Sequence, residues 1–449
     1  MGVTEELCRA VTETTFSSLP GAAMDAAKQL IIDGLAISIA GVHESGPQIL
    51  AEHVRQLGGT EHATAFGFGF KTSSVFAAYL NGTSMHVLDY EPMWSPPNHA
   101  VSTTLPALLA LSECRPASGR DVITALVKGC EVQGLLRVAS GHYEPRNLKY
   151  HPPGLVGVMG AAAAASHLLG LDAARLANAF GIAGSRSGSL LANVGTMTKA
   201  THCGLAAAMG LDAALLAERG FTGNSEIFEA ANGYAEVFGG GDFDLNALAR
   251  FGEPFRIIEP GYTIKLFPCQ FATQYGITAA LDVRSRISNS SEIASVRIVT
   301  PVMPYVDRPH PRTGLDGKFS FQFTTACALL DGAVTTESFT DDRRFRADME
   351  RLLGRIELVQ SSDIPGNLEQ MYVDVSVKLA GGATESSRCD GLRGSWGRPP
   401  LSPKEHFGKV HDCLAAHLSE EEIESCTAHI GQLEVLPPEK VRILIEMFM

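Results

Sequence analysis

From His151 to Leu171 the chain reads HPPGLVGVMGAAAAASHLLGL. The two prolines fix the backbone after His151 and suit the first turn of a helix, where a backbone N–H has no intrahelical partner in any case. The tract that follows, Gly157 to Ala165, is mostly Gly and Ala. Apart from Val158 and Met159 no large side chain stands there to hold neighbours off, so other helices can approach closely. The spacing predicts a helix over Leu155 to Leu169 in the middle of a compact, mostly buried bundle and not a solvated coiled coil.

The same texture extends outward in both directions. Apolar residues recur at helical spacing over Met24 to Ala40, Ser73 to Leu80, Thr103 to Leu111, Asp121 to Val138, Asp172 to Ile182 and Cys203 to Arg219. After about residue 266 the pattern alternates instead, at Ala294 to Thr300, Arg355 to Gln360 and Met371 to Leu379, with a Gly381-Gly382 turn into Ala383 to Cys389. Helical segments at Cys269 to Leu281 and Phe319 to Leu330 lie among these strands. From Ser402 the chain returns to helix, with Ser419 before three glutamates as an N-terminal signature. The expected fold is mainly α: a large all-helical domain over 1–265, completed by 395–449, and a smaller α+β domain over 266–394 with an antiparallel sheet.

Composition narrows the function. The chain has 449 residues, 45% hydrophobic and 19% charged, with a net charge of −13 and no run of Lys or Arg. This disfavours a nucleic-acid or anionic-membrane partner, and any anion must bind in a local cationic pocket. No apolar stretch of membrane length is uninterrupted. The nine cysteines are scattered without zinc or iron–sulfur spacing, which fits a reduced thiol inventory. The acidic opening MGVTEELCRAVTETTF lacks a basic, apolar leader, so a cytoplasmic location is expected.

Two stretches carry ionisable groups that an Ala- and Gly-rich chain would otherwise omit: HVLDYEPMWSPPNH at His86 to His99, and GTMTKATH at Gly195 to His202. In the first, Pro92, Pro96 and Pro97 force an irregular loop, and His99 precedes an apolar helix whose positive end favours neutral imidazole. Asp89 and His99 serve either as acid–base groups or as loop ties; a metal bound by His86, Asp89 and His99 has no supporting HxH or HExxH spacing. In the second, Lys199 stands at a helix start, against the dipole, with no acidic residue near it in sequence. Anion binding or proton transfer explains such a lysine better than structure does. His202 reads as a packing residue or as support for Lys199. His151 before its two prolines repeats the theme, and Lys265 in PGYTIKLFPCQF lies between apolar neighbours that would desolvate it. Tyr143 and Tyr305 are candidate phenol donors. Together His99, His151, Lys199 and Lys265 would supply cationic donors for a di- or tricarboxylate.

With these residues in hand, the chain resembles the MmgE/PrpD family across nearly its whole length. The resemblance is carried by LNGTSMHVLDY, HPPGLVGVMGAAAAASHLLGL, GTMTKATHCGLAA, KLFPCQF, YVDRPHPRTGLDGKFSFQF and WGRPPLS. It implies a helical body with an α+β lid, a homodimer, and chemistry without metal or organic cofactor. The family includes 2-methylcitrate dehydratase, cis-aconitate decarboxylase and iminodisuccinate epimerase. Asp89, His99, His151, Lys199, Lys265 and Tyr305 fall where the decarboxylase branch places its pocket. Met93 stands where that branch has Thr, and Gln270 where it has a His regarded as important for the reaction. Tyr90-Glu91-Pro92 replaces a common Phe-Asp-Asp. The epimerase branch implies instead that Tyr143 faces Lys265 across the substrate carbon.

The resemblance therefore implies a cofactor-independent lyase acting on a citrate- or aconitate-like acid. Lys265, Tyr143, Lys199, His99 and Asp89 would be catalytic, and His151, Tyr305, Gln270 and Met93 substrate-binding. An epimerase is the alternative, and a non-catalytic carboxylate-binding homologue a further one.

Overall fold

The computed structural model describes residues 2–141, 148–239 and 241–449. Its helical half contains α1 (Val3–Glu13), α2 (Gly21–Gly41), α3 (Ser45–Leu57), α4 (Ser74–Val87), α5 (Ala100–Cys114), α6 (Gly119–Ala139), α7 (Pro152–Leu168), α8 (Ala173–Gly184) and α9 (Met197–Glu218). Each expected helix is present, most of them longer than the apolar period alone marks. α4 extends to Val87 because Asn81, Thr83, Ser84 and His86 are buried in the bundle, where packing overrides their polarity.

The Gly- and Ala-rich tract sits where expected. α7 packs on α5, α6, α8 and α9, and among Pro152–Ser166 only Leu155 is not fully buried. With so little side-chain volume the stabilisation comes from close backbone approach and dispersion. The α4–α9 crossing shows the limit of this. A Cβ on Gly204 would fall 2.1 Å from the Tyr79 carbonyl oxygen, and one on Gly82 would fall 2.8 Å from the Gly204 Cα. His86 lies four residues after Gly82, and Lys199 five before Gly204, on helices that cross here. The glycine contact therefore brings the end of one helix against the beginning of the other.

α9 is long and apolar enough in composition to cross a membrane, the one such helix among the described residues, but 67% of its apolar window is buried within the protein. The helical half also carries two short antiparallel ribbons: β1 (Ala63–Ala65) with β2 (Phe70–Thr72), and β3 (Met93–Trp94) with β4 (Tyr262–Thr263). The second pairs Met93 with Thr263 and so draws the 86–99 segment against Lys265.

The α+β part holds β5 (Ile293–Pro301), β6 (Ile356–Ser361), β7 (Val373–Leu379) and β8 (Thr384–Cys389) in the order β6-β5-β7-β8. β5 is antiparallel to β7, and β7 to β8, but β5 and β6 run parallel. The tight Gly381-Gly382 turn can join only antiparallel neighbours. The long connection from β5 to β6, which includes the helices Phe321–Asp331 and Ala347–Leu353, has room to return in the same direction. A core of its own lies beneath this sheet, built on Tyr275, Phe321, Phe323, Ile298 and Val375.

The final helices, Pro403–Leu414, Glu420–Gly431 and Pro438–Glu446, place Val410, Leu414, Ile423, Ile430 and Leu444 in the same apolar cluster as Leu30, Leu35 and Leu126 of the helical half, and Phe448 joins it just beyond the last of them. Ser419 caps its helix reciprocally with Glu422, as the glutamate run suggests.

Candidate active site

Asp89 is the centre. It follows the end of α4 in the left-handed region, φ 51°, a conformation that Asp tolerates better than most residues and that turns the chain out of the helix. Its carboxylate takes a bond from each of two lysines. Lys199 Nζ donates to Oδ2 at 2.5 Å, and Lys265 Nζ donates to Oδ1. Lys265 is fully buried, and its ammonium also donates to the carbonyls of Asp89 at 2.8 Å and Cys269 at 3.2 Å. Burial opposes ionisation of Asp89, but the two ammoniums outweigh it and hold the carboxyl well below its usual range. The counter-charge for Lys199, missing from its own neighbourhood in sequence, thus comes from a residue 110 positions away.

Behind Lys199 lies a second acid. Lys199 Nζ is 2.8 Å from His86 Nε2, and His86 Nδ1 is hydrogen-bonded to Glu91, which is buried. Burial pushes the His86 imidazolium down to about 3, with Glu91 opposing the shift and Lys199 adding to it. The neutral ring that accepts from Lys199 at Nε2 carries its proton on Nδ1, which donates to Glu91. His99 Nδ1 is 3.0 Å from the same Glu91 oxygen, and Ser102 Oγ donates to it at 3.1 Å. Burial opposes ionisation of Glu91, but its imidazole neighbours His86 and His99 outweigh it and hold the carboxyl well below the ordinary range.

The imidazoles form a wall. Ring centroids are 4.6 Å apart for His86 and His99, 5.8 Å for His99 and His151, and 5.3 Å for His151 and His202. His151 occupies the position just before α7, and its Nδ1 is 3.2 Å from that of His202. Burial first, then the positive charge of Lys199, lowers His151 well below 6.5 and His202 to about 4. His99 is also lowered, chiefly by burial against the pull of Glu91. The neutral His99 expected from the helix dipole is therefore neutral for a stronger reason.

A cavity of about 60 Å³ is lined by Asp89, Met93, His99, His151, Lys199 and Gln270, together with Tyr305 and Phe319. Gln270 Nε2 donates to the Tyr305 hydroxyl at 2.8 Å, leaving the phenol proton free to point elsewhere. Burial, reinforced by Asp89, raises the Tyr305 phenol, so it stays protonated at neutral pH. A cavity of about 180 Å³ adjoins through Leu148 and Pro152 and carries Arg137 and Lys149, without an acid–base cluster among its described lining.

Eight of the nine residues singled out from sequence meet around this cavity: Asp89, Met93, His99, His151, Lys199, Gln270 and Tyr305 line it, and Lys265 reaches it through Asp89. Tyr143 lies outside the described residues. The expectation of cationic donors needs correction. The lysines are not free cations, because both are paired with Asp89, and the histidines are uncharged; with Glu91 as the second carboxylate the two ammoniums are balanced, so the site offers hydrogen-bond donors and not a positive pocket. Asp89 orients Lys199 and Lys265, whereas His99 belongs to Glu91.

Sequence reasoning missed Glu91 and the role of His86. The spacing of five residues between them, at a helix end before Pro92, was the available signal. His86, His99 and His151 could bring three ring nitrogens to one ion by distance, but both nitrogens of His86 are engaged by Lys199 and Glu91, so a metal would have to displace one of them.

Comparison with known proteins identifies relatives along nearly the whole chain. Residues 5–246 match the MmgE/PrpD N-terminal domain and residues 267–430 the MmgE/PrpD C-terminal domain. The cis-aconitate decarboxylase of Mus musculus is 30% identical over 447 residues, covering 97% of this chain and 91% of that protein. The cis-aconitate decarboxylase of Homo sapiens is 30% identical over 446 residues, covering 97% and 92%. That of Aspergillus terreus is 25% identical over 392 residues, covering 81% and 79%.

Proposed function

Because the chain belongs to the MmgE/PrpD family, with both of its domains matched and relatives aligned over nearly the full length, we propose that it is a lyase that decarboxylates a cis-aconitate-like polycarboxylate. The observation that carries this reading is the Asp89 carboxylate held between two ammoniums beside a wall of neutral imidazoles and the Tyr305 phenol.

Loss of CO2 breaks a C–C bond and leaves its electron pair on carbon, which is unfavourable unless the pair spreads through the double bond towards a remaining carboxylate. A proton must then be added to carbon. Donors preorganised in a poorly hydrated cavity can each contribute roughly 10²- to 10³-fold by stabilising that charge. In this proposal Lys199, His99 and His151 hold the substrate carboxylates. Tyr305, which lines the cavity, faces the carbon and gives the proton, while Lys265, buried behind Asp89, holds that carboxylate in place together with Lys199.

One feature favours dehydration as a second reading. Gln270, which cannot titrate, lines the cavity at the position where the resemblance places a decarboxylase histidine. The epimerase reading rested on Tyr143 facing Lys265, and the relatives matched here, all decarboxylases or a decarboxylase-like protein by name, do not support it.

Proton NMR in D2O with cis-aconitate, citrate and 2-methylcitrate tests the proposal. The expected result is loss of the cis-aconitate vinyl signal with release of CO2, slowed at least about 10²-fold in Lys265→Met. A new alkene from a citrate without CO2 would establish the dehydratase. Binding without any chemistry would overturn the lyase reading.

A further inference from the structure

Both acids of the site sit on one tripeptide, Asp89-Tyr90-Glu91, and the residue between them is held from outside the cavity. Lys409, on the helix Pro403–Leu414, is buried, and its ammonium donates to the Tyr90 carbonyl at 3.0 Å while standing 4.1 Å from the centre of the Tyr90 ring. The same ammonium is 3.0 Å from Asp33 Oδ1 and 3.3 Å from Oδ2. Asp33 is fully buried on α2 and is also bonded to His406 Nε2 at 3.0 Å. The Tyr90 hydroxyl reaches the other way and donates at 3.3 Å to the carbonyl of Leu266, next to Lys265.

A buried ammonium is costly to desolvate unless its N–H groups are taken up. Here they are divided between a carboxylate, a peptide carbonyl and an aromatic face, and two of those three belong to Tyr90. Nothing about apolar packing requires that arrangement. The helix Pro403–Leu414 already contributes Val410, Cys413 and Leu414 to the apolar core, and an uncharged residue could fill the place of Lys409.

We propose that Lys409 is a positioning residue: through Tyr90 it fixes the peptide that presents Asp89 to the two lysines and Glu91 to the two histidines, so that the C-terminal helices complete an active site they do not touch. The turnover arm of its test rests on the lyase reading above; the exchange arm does not. A misplacement of about 1 Å in a catalytic group can reduce turnover by about 10²-fold. Without Lys409 the left-handed turn at Asp89 loses its external tie, while Lys199, His151 and the cavity wall remain.

The test uses the full chain with Lys409→Met, Lys409→Arg and the double variant Asp33→Asn with Lys409→Met, which strands no buried charge if the single Met variant fails to fold. In Lys409→Met or the double variant, kcat should fall by about 10²-fold with KM within about 3-fold. Amide exchange by mass spectrometry should rise at least about 10-fold over residues 89–93 and stay unchanged over residues 206–217. Lys409→Arg, which can still reach both the carbonyl and the carboxylate, should recover most of kcat. A merely structural lysine predicts a lower melting temperature with wild-type kcat and no local rise in exchange, and either wild-type kcat in a folded variant or exchange unchanged at residues 89–93 would overturn the proposal. If the wild-type chain turns over no polycarboxylate, the lyase reading fails and the exchange result alone decides the role of Lys409.

Discussion

Asp89→Asn isolates the interaction around which the site is built. The variant keeps an oxygen acceptor and nearly the same volume, but it leaves Lys199 and Lys265 buried as ammoniums with no carboxylate at bonding distance among the described residues. Removing one partner of a buried ion pair typically costs about 3–5 kcal/mol, because the remaining charge stays desolvated. Asp89 serves two cations, while Asn retains part of the hydrogen bonding, so about 4 kcal/mol is the expected loss at pH 7.

The pH dependence has a definite sign. The folded-state carboxyl of Asp89 lies well below its ordinary value, so its contribution is fully present above the unfolded pKa of about 4 and is lost as pH falls through the folded value. The gap between wild type and variant should therefore narrow by about 1 kcal/mol between pH 5 and pH 3. Urea unfolding followed by far-ultraviolet circular dichroism measures this. The double variant Asp89→Asn with Lys265→Met should lose less than the sum of the single variants by at least about 1 kcal/mol, since one stranded charge is gone. A loss under about 1 kcal/mol at pH 7, or strict additivity, would refute the reasoning.

Three other outcomes are expected. Gly204→Ala puts a methyl group into the Tyr79 carbonyl; it should cost about 1–3 kcal/mol in urea unfolding and reduce turnover by separating His86 from Lys199, and an unperturbed variant would mean that the α4–α9 contact does not set the site. Glu131, which accepts from the amides of Gly252 and Arg256, is pushed up to about 7 by burial. Its stabilising protonated form is present below the unfolded pKa and lost as pH rises through 7, so Glu131→Gln should gain on the order of 1–3 kcal/mol relative to wild type from pH 5 to pH 8, and parallel pH curves would count against it. Finally, because His86, His99, His151 and His202 are all lowered, binding of a polycarboxylate should raise an imidazole and take up on the order of 0.5–1 proton at pH 7. Calorimetry in buffers of different ionisation enthalpy reads this directly, and buffer-independent heats would contradict it.

The large elements and most residues of the site are legible along the chain. Gly157 to Ala165 could only be a closely packed helix, the alternation after residue 266 could only be sheet, and a lysine at a helix start without local counter-charge had to find its partner elsewhere. Periodicity and local charge are properties of short segments, so they are legible without a fold. What the tertiary structure decided was pairing. That Asp89 takes both lysines, that Glu91 holds both histidines, and that β6 joins β5 in parallel depend on which segments the glycine crossing of α4 and α9 and the β3–β4 ribbon bring together. The protonation states were decided there as well. Lys199 and Lys265 read as free cations along the chain and became half of a balanced set in the fold, because the cost of burying a charge is set by what surrounds it in space and not by its neighbours in sequence.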